Sequence, residues 1–199
     1  MTPHRLYAKY YVTDPDAVDL PALVPVFHRW IQERRVDALL IDVVDYKHVH
    51  EGPGIILIGH EADYGLDLGR GRPGLRYSRK RGHDGDLREA LRTVLRQALF
   101  GCYLLETEPA LHIRFRTDEV EVAFLDRLHL PNQAASIALV QGALEDVLAE
   151  LYGDVTVSLT RLDEDLRQPL ALHARIPEAV DVATLLARLY PETAHDYVG

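Results

Sequence analysis

The residues best placed to do chemistry lie between positions 42 and 64, where polar groups interrupt two apolar runs. His60, Glu61 and Asp63 follow the run Ile55 to Ile58 almost directly, and His48 and His50 precede it. An imidazole or carboxylate buried without partners costs several kcal/mol, so such residues need either partners or a task. An imidazole beside two carboxylates is a general acid–base set, and His60, Glu61 and Asp63 form the catalytic candidate, for a hydrolase or an isomerase. Strand register decides what else the region builds. If Gly52 pairs with Ile55, then His48, His50, Glu61 and Asp63 share a face, giving a nitrogen and oxygen donor set that suits a divalent metal. A longer loop shifts the parity and sets His60 on the face of Asp42 and Tyr46 instead. The structural alternative is simpler. Histidines near strand ends are commonly exposed or hydrogen-bonded, and aspartates there cap or pair locally.

A second candidate is the basic stretch Arg70, Arg72, Arg76, Arg79, Lys80 and Arg81, with Tyr77 among them. Residues 70–96 carry a net charge of +6, whereas 117–199 carry −10 in a chain of net −9. Arginines beside an aromatic ring hold phosphate or stack on a base. An acidic total and no recognisable RNA- or DNA-binding motif argue against nucleic acid. The expected roles are neutralisation by the protein's own acidic surface, contact with an acidic surface of another subunit, or binding of a small anion through Arg70, Arg72, Arg76, Arg79, Lys80 and Tyr77.

No dinucleotide fingerprint, P-loop, nucleophile elbow or His-Glu-x-x-His zinc motif occurs, and the residues leave any cofactor unknown. Cys102 is the single cysteine, and it falls on the apolar stripe Leu91, Leu95, Leu99, Cys102, which reads as core packing. A lone cysteine, no signal-peptide pattern and no apolar run near the roughly 18 residues of a membrane span predict a cytoplasmic protein.

The elements that must position these groups follow from periodicity. Leu6, Ala8, Tyr10 and Val12 alternate as a strand. Asp19 caps a helix whose stripe is Leu20, Leu23, Val24, Phe27 and Ile31, leaving Trp30 off the main face. Strands are expected at Leu39–Val44, Ile55–Ile58 and Leu75–Lys80, with a turn at residues 51–54. Asp86 and Glu89 form a capping box for the helix Leu87–Cys102. In 111–124, alternation of Leu111, Ile113 and Phe115, then of Val120, Val122 and Phe124, predicts a hairpin turning at Thr117-Asp118. Its outer face would pair Arg114 with Glu121 and Arg116 with Glu119. Asn132 caps a third helix that ends at Gly153, strands follow at Val155–Leu159 and Leu170–Ile176, and a last helix begins near Pro177.

This order predicts an α+β protein with about four helices packed on a largely antiparallel sheet. Residues 1–199 read as a single unit, with a possible subdivision near 106–110. The functional expectation is a binding or assembly protein rather than an enzyme, partnered with itself, with another protein or with a small anion. The alternative is the enzyme centred on His60, Glu61 and Asp63.

Overall fold

The computed structural model describes residue 3 and residues 5–50, 52–82 and 85–189. Eight strands form one antiparallel sheet: β1 Leu6–Val12, β2 Leu40–Tyr46, β3 Gly54–Gly59, β4 Ala62–Asp67, β5 Gly74–Arg79, β6 Phe115–Phe124, β7 Ser158–Arg161 and β8 Leu170–Arg175. Their spatial order is β2-β3-β4-β5-β1-β6-β8-β7. Four helices complete the described fold: α1 Leu20–Glu33, α2 Leu87–Glu106, α3 Ala134–Tyr152 and α4 Val182–Leu189. The class is α+β, as the alternating periods predict. The sheet continues unbroken across 106–110, because β6 pairs with β1.

Period-two alternation gives the sheet two different faces. Ala8 and Tyr10 lie across from Tyr77 and Leu75 on one side and from Val122 and Val120 on the other, and Leu6 lies across from Phe124. All are buried in the core. The helices cover this face. Trp30 of α1 meets Tyr64 edge-on at 5.9 Å, and Gly101 of α2 passes so close that a Cβ there would stand 2.5 Å from Leu75. α3 and α4 pack against α2. Cys102 is fully buried among them, as its stripe predicts.

Local signals hold at most helix ends. Asp19 accepts from the Ala22 N–H, the Asp86–Glu89 capping box is present, and Gly153 ends α3 with φ 85°. Three expectations need correction, and one strand was not expected. Trp30 is buried, because α1 turns Leu23, Val26, Phe27 and Trp30 inward rather than the stripe ending at Ile31. Gln133, not Asn132, is the N-cap of α3; Asn132 is buried and donates to the carbonyls of Asp163 and Asp165. β4 is a strand that hydrophobic pattern alone does not announce, since Asp63, Gly65 and Asp67 fill one of its faces.

The hairpin at 111–124 is instead one strand, β6, starting at Phe115. Its register against β1 jumps between Tyr10, opposite Val120, and Val12, opposite Phe115. The extra residues form a bulge that restores Phe115 to the core face, which a turn would also have done. Thr117 and Asp118 are held inside the fold. Thr117 donates its hydroxyl to the Val180 carbonyl, and the Asp118 carbonyl accepts from Ile176.

Candidate functional site

The second face of the sheet carries ionic and phenolic side chains where a buried strand ordinarily carries aliphatic ones. Tyr7, Lys9 and Tyr11 alternate with the core residues of β1. Glu119 and Glu121 do so on β6, His173 on β8, Arg76 and Ser78 on β5, and Asp63 and Asp67 on β4. Lys9 is 2% exposed, Glu119 2%, Glu121 3% and His173 6%, so the centre of this face is shielded although it is charged.

Partners account for each buried charge. Tyr7 and Tyr11 both donate to Glu121, the latter at 2.7 Å to Oε2. Burial first, and the Glu121 charge second, push both phenols well above their usual range. Glu119 accepts from Arg72 at 2.6 Å and from Nε2 of His173 at 2.8 Å, with Arg116 at 3.1 Å. Burial alone would raise its carboxyl, but those donors outweigh it and hold the group below the usual carboxylate range. Lys9 Nζ reaches Asp67 Oδ2 at 2.5 Å and the Gly69 carbonyl at 3.3 Å. Gly74 opens that path, because a Cβ there would lie 3.0 Å from Lys9 Cε and 2.5 Å from the Tyr10 carbonyl oxygen. Arg72 stacks 3.7 Å above the Tyr11 ring and Arg76 4.1 Å above the Tyr7 ring.

A cavity of about 280 Å³ opens beside this cluster, lined by Tyr7, Lys9, Asp67, Arg70, Arg76 and Glu121. A smaller one of about 140 Å³ adjoins it, sharing Pro53, Asp67 and Arg76. Arg70 stands at the rim of the first with a left-handed backbone, φ 63°, an unfavourable conformation for a residue with a Cβ. Among the described residues it makes no hydrogen bond or ion pair.

The basic stretch therefore divides by face. Arg72 and Arg76 join the cluster and Arg70 borders the cavity. Lys80 bonds Asp63 at 2.7 Å and the Gly59 carbonyl at 2.6 Å, while Arg79 donates to the carbonyls of Arg81 and Gly82. Tyr77 is not with them: it is buried on the helix face against Tyr64, with ring centroids 4.9 Å apart. The rings that the arginines cover are Tyr7 and Tyr11.

The residues around 42–64 do not converge. His60 and Glu61 form the exposed turn between β3 and β4, and Asp63 is engaged by Lys80 and by the Gly59 N–H. Gly54 lies opposite Tyr46, so the loop from β2 to β3 is longer than a Gly52–Ile55 pairing allows. His48 and His50 are exposed in that loop, at the end of β3 opposite Glu61. The four-residue metal set is thereby dispersed, and the described residues contain no group of three or more histidine, cysteine and carboxylate side chains that could hold a metal ion.

Arg114 is likewise not across from Glu121. It donates to the carbonyls of Glu106 and Ile113. Arg116 does reach Glu119, but that carboxylate is buried rather than solvated. The sequence signal for the true cluster was the alternation of Tyr7, Lys9 and Tyr11 with a wholly apolar set on the same strand. No helix of the described residues is long and apolar enough to cross a membrane. Comparison with known families finds no family model that matches this chain, and searches of curated proteins and of solved structures find no match either.

Proposed function

We propose that this is a non-enzymatic binding protein that takes a small anionic ligand on the second face of its sheet, in the cavity beside Lys9, Arg70 and Arg76. The observation that carries this reading is the balance of hydrogen-bonding capacity around the cavity. Each oxygen of Glu121 already accepts from a tyrosine, and both Asp67 oxygens face Lys9 or Arg76. Donors remain unmatched among the described residues: the whole Arg70 guanidinium, part of that of Arg76, and the third proton of Lys9. Surplus donors on guanidinium and ammonium groups favour an acceptor-rich anion.

A cluster of this kind gains little stability from its charges, since well-packed aliphatic residues commonly do as well or better in such positions. That favours a functional role for the ionic residues of β1, β6 and β8. Arg72, Arg76 and Lys80 have acidic partners within the chain, which supports internal neutralisation over a charge-driven contact between subunits. A cytoplasmic setting accompanies the reading, supported by the single buried cysteine.

Isothermal titration of the full chain with inorganic phosphate and with citrate tests it. Binding of either anion is expected to weaken as salt rises and to weaken in Arg76→Met, while His60→Ala and Glu61→Gln, both at the exposed turn, leave it unchanged. No heat from either anion, or equal affinity in Arg76→Met, overturns the reading.

A further inference from the structure

The two cavities on this face meet at Arg76 and differ in chemistry. The larger is bordered by the cations Lys9, Arg70 and Arg76. The smaller has apolar walls from Pro53, Ile56 and Leu125, beside the Asp63–Lys80 pair and the guanidinium groups of Arg5 and Arg79. Gly65 lines the smaller one directly opposite Arg76 in the β4–β5 register, so the strand beside the guanidinium carries no side chain there. A ligand group passing Arg76 thus meets bare backbone and then the apolar side chains of Ile56 and Leu125.

Resting on the anion-binding reading above, we infer that the ligand is a phosphate monoester of a small apolar organic group. The phosphate faces Lys9, Arg70 and Arg76, and the ester group passes over Gly65 to lie against Ile56 and Leu125. Three converging cations match the three terminal oxygens of a monoester better than the two of a carboxylate. The second cavity sets the apolar side chains of Ile56 and Leu125 within reach of an ester group held at Arg76. Arg76 belongs to both compartments. It bonds Ser78 through Nε at 2.7 Å, lies over Tyr7 and has Nη1 3.6 Å from Asp67, which fixes the guanidinium at the place the two cavities share.

Phenyl phosphate, inorganic phosphate and benzoate, titrated separately into the full chain at one salt concentration, decide the matter. Phenyl phosphate is expected to bind about ten-fold tighter than inorganic phosphate, the gain that burying part of a phenyl ring provides. It is also expected to bind tighter than benzoate. Ile56→Trp, which fills the smaller cavity, should remove the advantage over inorganic phosphate while leaving inorganic phosphate binding intact; that retained binding also shows the variant to be folded. If phenyl and inorganic phosphate bind equally well, the two-part ligand is wrong and the anion site stands. Benzoate binding as tightly as phenyl phosphate overturns the phosphate assignment. If none of the three binds, the anion reading itself fails.

Discussion

Lys9 and Glu121 face each other directly across the β1–β6 pairing, yet neither is the other's partner. Lys9 reaches past Gly74 to Asp67 on β4, and Glu121 takes the hydroxyls of Tyr7 and Tyr11, the residues two before and two after Lys9. His173 repeats the pattern: it stands opposite Glu121 and bonds Glu119. The charges are thereby spread diagonally over five strands instead of cancelling in facing pairs. Such a network leaves its surplus donors at one edge, where the cavity lies.

The tyrosine pair gives the protein a defined alkaline limit. In the unfolded chain these phenols lose their protons near pH 10, whereas in the fold burial and the Glu121 charge hold them protonated to higher pH. Above about pH 10 the folded state therefore binds more protons than the unfolded one. Stability is complete below that pH and falls above it, by about 1.4 kcal/mol per pH unit for each such tyrosine. Urea melts of wild type and of Tyr7→Phe/Tyr11→Phe across this range check the point. The double variant should lose about 1–3 kcal/mol at neutral pH, because Glu121 loses its donors, and should show a shallower alkaline slope. An unchanged slope would mean that other groups set the limit.

Glu119 sets an acid limit of the opposite sign. Arg72, His173 and Arg116 hold its carboxyl below the usual range despite burial. Its contribution is present above the unfolded value near pH 4.3 and is lost as pH falls through the folded value. Glu119→Gln is expected to be less stable than wild type at pH 7, by about 1–3 kcal/mol, since Arg72 and the buried His173 lose an ionised acceptor. Its stability should then vary less than wild type's as pH falls from about 5. Thermal melts over the acid range read both effects, and parallel pH curves would deny Glu119 this role.

The bulge in β6 separates two neighbouring side chains by face. Phe115 is in the core opposite Val12, whereas Arg114 is exposed and bonds the backbone carbonyls of Glu106 and Ile113. Phe115→Ala should cost about 3–5 kcal/mol as a core truncation, and Arg114→Ala less than about 1 kcal/mol. Comparable losses in urea melts would contradict the strand assignment.

How much of this was legible in the sequence depends on which force fixed each element. The four helices and the core strands follow from hydrophobic period, because each buries one continuous stripe. β4 escaped because its second face, Asp63, Gly65 and Asp67, is polar or bare, and its partners Lys80, Arg76 and Lys9 are distant in the chain. The bulge at 116–118 restores the same parity as a turn, so alternation alone does not tell one strand from two. The site was hidden for a related reason. Glu119 and Glu121 look like a solvated strand face until β1 and β8 are laid beside them, and only the register brings Tyr7, Tyr11 and His173 into reach. His60 and Glu61 drew notice by interrupting an apolar run, but an interruption also marks the place where a strand ends and turns, and there they are exposed.

Arg70 offers the sharpest separation of stability from binding. Its left-handed backbone, φ 63°, costs a side-chain-bearing residue roughly 1–2 kcal/mol relative to the right-handed region, and glycine adopts it freely. Arg70→Gly should therefore raise stability by up to about 1 kcal/mol, the extra entropy of glycine in the unfolded chain offsetting part of the gain. The same change removes from the cavity rim a guanidinium that has no hydrogen bond or ion pair among the described residues, and should weaken phosphate binding. Arg34, with φ 53°, closes α1 outside the cavity and serves as the control. Arg34→Gly should stabilise to a similar extent and leave binding untouched. Paired melts and titrations of the two variants measure both quantities. If Arg70→Gly is stabilised and binds phosphate as well as wild type does, the strained arginine is not part of the anion site.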